Sequence, residues 1–182
     1  MAPQYAFLTH WRLRATAQEV SDILSDALAL PRWWPSVYLE VKELVAGDPQ
    51  TGVGRVIDLY TKGWLPYTLR WRFTVTESTP PHGFKLVAEG DFVGTGVWTL
   101  TQDGDFVDVT YDWRIAAGKT LLRVGTPIFR PLFAANHRWA MARGEESLVL
   151  ELRRRRARTE AERLAVAQPP GPTFARRTPP VR

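Results

Sequence analysis

The stretch Tyr67-Thr68-Leu69-Arg70-Trp71-Arg72-Phe73-Thr74-Val75-Thr76 decides the fold. Every second residue is apolar or aromatic, and threonine or arginine stands between. Alternation with period two marks a strand with one buried face and one wet face. Two later segments repeat it, with Trp98 and Leu100, then with Val107, Val109, Tyr111, Trp113 and Ile115. Near the start, Tyr5, Phe7, Thr9, Trp11 and Leu13 fall on one face of a strand over residues 5–14. Buried faces this rich in Trp and Tyr suit a curved sheet around an apolar cavity, which points to binding of hydrophobic small molecules.

The connections between these segments set the topology. Gly47-Asp48-Pro49-Gln50-Thr51-Gly52, Gly63-Trp64-Leu65-Pro66, Thr79-Pro80-Pro81-His82-Gly83 and Gln102-Asp103-Gly104 are turn sequences. They divide the middle of the chain into strands at about 36–46, 53–62, 67–78, 84–91, 94–102 and 105–115. Short links between consecutive strands imply antiparallel hairpins. Between the first strand and these six, Thr16 precedes Glu19 by three residues, the capping-box spacing of a helix start. That helix is expected to reach about Asp26 with Val20, Ile23 and Leu24 inward. A second short turn, residues 28–33, stops at Trp33-Trp34-Pro35, because a residue before proline avoids the helical region.

After Gly125-Thr126-Pro127 and Pro131 a long helix is expected. At 100° per residue, Phe129, Phe133, Asn136, His137, Ala140, Met141, Gly144, Leu148 and Leu152 share one broad face. Gly144 on that face is expected to let the helix approach the sheet closely. The order is strand, two small helices, six strands, long helix. This is α+β, with the helix covering one mouth of a curved antiparallel sheet.

The 182 residues suffice for one domain with a sizeable core. Having no cysteine, the sequence excludes disulfides, Cys nucleophiles, Cys-bound zinc and thiolate-held iron–sulfur clusters. The net charge of +5 is unevenly placed: residues 153–182 hold nine arginines against two glutamates, leaving residues 1–152 at −2. The basic character thus belongs to the tail. Met1-Ala2-Pro3-Gln4-Tyr5 begins no basic-then-apolar leader and no run is long enough to span a membrane, so a cytoplasmic location is expected.

Several local patterns resemble the START/Bet v 1-like (SRPBCC) superfamily, in particular its polyketide cyclase/dehydrase and lipid-transport group. Leu13-Arg14-Ala15-Thr16-Ala17-Gln18-Glu19-Val20 resembles that family's first strand entering its first helix. Pro31-Arg32-Trp33-Trp34-Pro35 resembles its Trp-Pro turn. Gly94-Thr95-Gly96-Val97-Trp98-Thr99-Leu100, with Val107-Asp108-Val109-Thr110-Tyr111-Asp112-Trp113, resembles its last hairpin. The resemblance covers about residues 5–155 and implies a helix-grip fold: a curved seven-stranded antiparallel sheet wrapped around a long C-terminal helix, with two short helices after the first strand. It also implies a deep cavity for lipids, sterols or polyketides. The expected division is a helix-grip domain over 1–155 and an Arg/Pro-rich extension over 156–182, partly helical and then disordered.

Trp11, Tyr67, Trp71, Trp98, Tyr111 and Trp113 are the candidate walls of the cavity, each with core filling as its alternative. Asn136 and His137 lie on the inward side of the long helix, where a polar group needs a partner. They either bond a strand or nearby turn, or anchor a ligand. His137 is the one weak candidate for acid/base chemistry. Arg55 and Asp58 alternate on their strand, so one of them would face inward.

No metal-ligand spacing surrounds His10, His82 or His137, and no dinucleotide or phosphate loop is present, so no metal or cofactor is expected. Gly94-Thr95-Gly96 reads instead as a strand that lets something pack close. The arginine run Arg153, Arg154, Arg155, Arg156 suits the negative end of a helix; weak contact with an anionic membrane surface is its alternative use. No aromatic interleaving or motif favours a specific nucleic acid. The function expected is binding of a small hydrophobic ligand such as a lipid or polyketide, with transport of that ligand as its extension. The alternatives are a cyclase/aromatase-type enzyme using the same cavity, and a membrane or interaction module using the tail.

Overall fold

The computed structural model of the protein describes residues 5–117 and 130–174. Phe129, the Gly125-Thr126-Pro127 interruption and residues 175–182 lie outside the described residues. Strand β1 (Tyr5–Leu13) leads into α1 (Ala17–Ser25), a 3₁₀ turn (Ala27–Ala29) and the single turn α2 (Leu30–Trp33). Six strands follow: β2 (Tyr38–Val45), β3 (Val56–Lys62), β4 (Thr68–Thr79), β5 (Gly83–Gly90), β6 (Phe92–Asp103) and β7 (Phe106–Ala117). Helix α3 (Arg130–Arg156) and the short α4 (Glu160–Ala165) complete the chain.

The strands form one seven-stranded antiparallel sheet in the order β1-β7-β6-β5-β4-β3-β2. The six later strands meander from one edge to the other. Strand β1 closes on β7, and α1 and α2 carry the chain across to β2. The inner face follows the alternation: Leu69, Trp71, Phe73 and Val75 are buried on β4, and Val107, Val109, Tyr111, Trp113 and Ile115 on β7. Strand β3 starts later than the expected 53, because Gly54 at φ +82° breaks the extended backbone and residues before it close a turn.

Local chemistry starts α1 as the spacing predicts. The Glu19 amide donates to Thr16 Oγ1 at 3.1 Å and the Thr16 amide to Glu19 Oε2 at 2.8 Å, satisfying two orphan donors. Along α3 the buried positions are Met141, Gly144, Ser147, Leu148, Glu151 and Leu152. Gly144 does allow close approach, but its neighbour is Trp34 at the end of α2, rather than the sheet; any Cβ there would overlap Cζ2 of that indole. Gly96 plays the same part on β6, where a Cβ would stand 2.8 Å from Tyr111 Oη and 3.0 Å from Trp113 Cε3. What packs close to Gly96 is therefore this protein's own aromatic rings, and what packs close to Gly94 is the β7 backbone at Arg114 and Ile115.

The C-terminal end of α3 is tied to α1 and α2 by ion pairs. Glu151, 1% exposed, receives both Arg32 nitrogens at 2.7 and 2.8 Å and Arg155 Nε at 2.9 Å. Burial opposes its charge, yet these guanidiniums hold the carboxyl below its ordinary range. Arg156 clasps both oxygens of Glu19 at 2.7 and 2.8 Å, and Arg155 also reaches Asp26 at 3.4 Å.

Candidate ligand-binding cavity

Between the inner face of the sheet and the first half of α3 lies a cavity of about 120 Å³. Aromatic side chains of β1 and β7 meet there because their inward positions stand in register, Phe7 with Trp113 and Thr9 with Tyr111, and Trp71 of β4 joins them from across the sheet. The rings form a continuous stack. Trp98 lies on Tyr111 at 4.1 Å, Tyr111 on Trp113 at 5.6 Å, and Trp113 meets Trp71 at 5.6 Å; Phe92 stands edge-on to both Trp71 and Trp113. The Trp71 indole donates to Thr61 Oγ1 at 3.0 Å, which satisfies its only polar atom.

Of the candidate wall residues, Tyr67, Trp71, Tyr111, Trp113, Asn136 and His137 line the cavity. Trp11 and Trp98 do not. Trp98 sits behind Tyr111, whose ring covers it, and Trp11 is wedged between Trp34 and Trp98 at 6.0 and 5.5 Å. Both are core side chains that support the wall. The sequence reading passed over Trp34, Tyr38 and Phe92, which also line the cavity. For Tyr38 and Phe92 a signal existed, an aromatic at a strand's edge; for Trp34, placed in a turn, there was none.

Arg55 and Asp58 do not face this cavity. Arg55 precedes β3 and donates to Glu43 and to the Ser25 carbonyl at 2.8 Å, while Asp58 occupies the outward register between buried Ile57 and Leu59. Arg55 borders a second, open hollow of about 480 Å³ between α1 and residues 46–55. Its rim carries Asp22, Glu43 and Asp48, and no aromatic stack lines it, so the smaller cavity is the better apolar site.

The polar groups facing the cavity are few and mostly neutral. Asn136 Oδ1 accepts from the Leu65 amide at 3.3 Å, so this side chain bonds a nearby turn. The His137 ring stacks on Phe7 at 4.3 Å, with Nε2 3.4 Å from Thr9 Oγ1. Burial, then the neighbouring Arg138 charge, lowers its pKa to about 4, so the imidazole is neutral at neutral pH. Burial raises Tyr67 to about 12 and pushes Tyr38 and Tyr111 above the usual phenol range. Among the described residues no hydrogen bond reaches the hydroxyls of Tyr38, Tyr67 or Tyr111, which leaves three neutral donors at an apolar wall. Among the described residues Lys62 is the one Lys or Arg in the lining, and its Nζ donates to the Thr173 carbonyl.

No family model matches this sequence, and no curated protein matches it. Solved structures do. The chain is similar to ZhuI aromatase/cyclase from Streptomyces sp. R1128, with 18% identity over 85% of this chain and 96% of that one, at a TM-score of 0.63. A START superfamily protein from Mycobacterium smegmatis gives 15% identity, 81% and 96% coverage and a TM-score of 0.63. A STAR-related lipid transfer protein from Xanthomonas axonopodis gives 22% identity, 81% and 85% coverage and 0.54. The chain therefore has the fold of these solved structures, here a seven-stranded antiparallel sheet gripping a C-terminal helix. At these identities the likeness speaks for the fold alone. Among the described residues no helix is long and apolar enough to cross a membrane.

Proposed function

We propose that the protein binds a small hydrophobic ligand, such as a lipid or polyketide, in the cavity between the sheet and α3. The observation that carries this reading is the aromatic wall of Trp71, Tyr111, Trp113 and Phe92, enclosing space that their own packing leaves unfilled. Apolar burial supplies the affinity, and the free tyrosine hydroxyls orient any oxygen the ligand carries. The volume limits what the cavity holds as it stands. About 120 Å³ is close to an apolar cavity that admits one benzene-sized ring. Micromolar affinity needs ~8 kcal/mol, or roughly 300 Å² of apolar ligand surface buried at ~25 cal/mol per Å². A ligand offering that much surface exceeds one ring, so its uptake requires the cavity to widen.

A cyclase-type enzyme in the same cavity ranks second. It would need a convergent pair of groups able to move a proton near neutral pH. The inward partner of His137 is the Thr9 hydroxyl, which does not titrate near neutral pH, and with its pKa lowered to about 4 the imidazole is neutral there and is a poor proton donor. Membrane contact through Arg153–Arg156 would compete with ion pairs already made, because Arg154, Arg155 and Arg156 are engaged with carboxylates.

Native mass spectrometry of the purified chain tests the binding reading. The expected result is extra mass from a co-purifying apolar molecule, abolished by Ala140→Trp, which fills the cavity from α3. A bare chain that also fails to take up the neutral fluorophore N-phenyl-1-naphthylamine sinks it.

A further inference from the structure

The C-terminal segment beyond α4 returns to the cavity. Helix α3 ends at Arg156, far along its axis from Asn136; beyond α4, residues 167–172 belong to no helix or strand and residues 173–174 form a turn. Arg154 Nη2 donates to the Ala167 carbonyl at 3.1 Å, which anchors the start of the returning segment to α3. At its far end Thr173 Oγ1 lies 3.1 Å from the Trp64 carbonyl and 3.3 Å from that of Gly63, donating to this pair. The Thr173 carbonyl accepts from Lys62 Nζ, and that ammonium also sits 5.4 Å above the Phe174 ring. Two hydrogen bonds therefore land on the loop joining β3 to β4, and two further contacts on Lys62 at the end of β3.

That loop is the rim of the cavity. Lys62 and Gly63 line it, and Asn136, another lining residue, holds the Leu65 amide from the α3 side. Gly63 has no room for a side chain, since a Cβ would overlap the Asn136 amide group, so loop and helix are in direct contact. The loop is thus held from within by α3 and from without by the returning segment. Trp64 at the loop's outer side is partly exposed, and the contacts with Thr173 are hydrogen bonds, which contribute modestly each and break readily.

We propose that residues 168–174 are a strap that keeps the β3–β4 loop closed over the cavity and sets the rate at which ligand exchanges. This rests on the binding reading above and adds its regulation. Passage of a ligand requires the rim to open, and residues 63–65 are a part of that rim held by hydrogen bonds to Asn136 and Thr173. The strap also occupies Lys62, so leaving the rim frees that ammonium together with the loop. A strap that favours the closed loop in free and loaded protein alike slows uptake and release together and leaves affinity nearly unchanged.

Stopped-flow fluorescence with N-phenyl-1-naphthylamine separates the possibilities, using the full chain, a chain lacking residues 168–182, and Thr173→Val/Phe174→Ala. The deletion spares Arg154, Arg155 and Arg156, and the double variant keeps the chain intact should the deletion unfold. Both rates are expected to rise roughly five- to thirtyfold in either variant, the range set by removing one or two net hydrogen bonds from an opening equilibrium, with Kd within about twofold. Hydrogen exchange at the Leu65 amide, which needs no ligand, is expected to speed up by the same range. Unchanged rates and unchanged Leu65 exchange overturn the strap. Ala140→Trp distinguishes the two readings: fluorophore binding that survives it removes the cavity reading and the strap's role with it. Binding that Ala140→Trp abolishes, with rates indifferent to strap loss, overturns the strap alone.

Discussion

Replacing Gly144 by alanine sets two effects of known sign against each other. In an exposed helix interior the change stabilises by ~1 kcal/mol, since glycine loses more backbone entropy than alanine. Here the new methyl meets the Trp34 indole, with Cη2 at 2.6 Å and Cε2 at 2.7 Å from the Cβ position. Carbon atoms rest at about 3.5–4.0 Å, so the ring must retreat by roughly 1 Å. It has little freedom to do so. Trp34 is 2% exposed, with ring neighbours Tyr38 at 5.2 Å, Trp33 at 5.4 Å and Trp11 at 6.0 Å. Overpacking of this kind costs ~1–3 kcal/mol, so the clash outweighs the propensity gain by up to ~2 kcal/mol. For a chain of this length that lowers Tm by up to about 8 °C. Differential scanning calorimetry reads it directly. The decisive control is Gly144→Ala in a Trp34→Phe background, where the overlapping indole atoms are gone and the substitution should become neutral or stabilising. A raised Tm in the parent chain, or the same loss in both backgrounds, refutes the close packing of α2 on α3.

Three further outcomes follow from the charges. His137 has its folded pKa depressed to about 4, so its neutral form stabilises the fold above the unfolded value near 6.5. That stability is lost as pH falls toward 4, by up to ~3 kcal/mol; urea unfolding at pH 7 and pH 4.5 should show the loss in the parent and not in His137→Gln. Glu19 is held at about 2, chiefly by Arg156, so its contribution is present above the unfolded value near 4.5 and disappears as pH falls toward 2. Arg156→Gln should cost ~1 kcal/mol at pH 6, less at high salt because the pair is half-exposed, and nothing at pH 2. Arg153 has no ion-pair partner among the described residues, and Arg153→Gln should leave stability within ~0.5 kcal/mol and phosphatidylserine-vesicle binding unchanged. A large fall in vesicle binding would restore the membrane reading.

The sheet was legible because burial on one face leaves a period-two trace that no other element mimics over five residues, as residues 67–75 and 107–115 illustrate. The capping box at Thr16 and Glu19 was legible for a similar reason: both partners lie within one turn. Which aromatics meet the cavity was not. Trp98 and Tyr111 occupy equivalent inward positions on neighbouring strands, and only the stacking of one ring on the other puts Tyr111 at the surface and Trp98 behind it. Alternation fixes a face and says nothing of depth. Trp34 was hidden differently, since its place in the wall depends on a glycine 110 positions away in the chain.

The tail shows most clearly how a one-dimensional reading of charge misleads. Four consecutive arginines look like surplus positive charge in search of an anion. Three of them already have one: Arg154 and Arg155 turn to Glu151, and Arg156 to Glu19, with Asp26 close to Arg155. These carboxylates lie on α1, on the turn after it and on α3 itself. The run therefore works as a clamp that closes the helical layer over the far end of the groove, opposite Asn136 and His137. Firm ionic fastening at one end and polar, loop-borne fastening at the other make the two ends of α3 unequal. Any widening of the cavity is cheaper at the β3–β4 loop, where a few hydrogen bonds must break, than at Glu151. There, separating the partners would strand a buried carboxylate at a cost of ~3–5 kcal/mol.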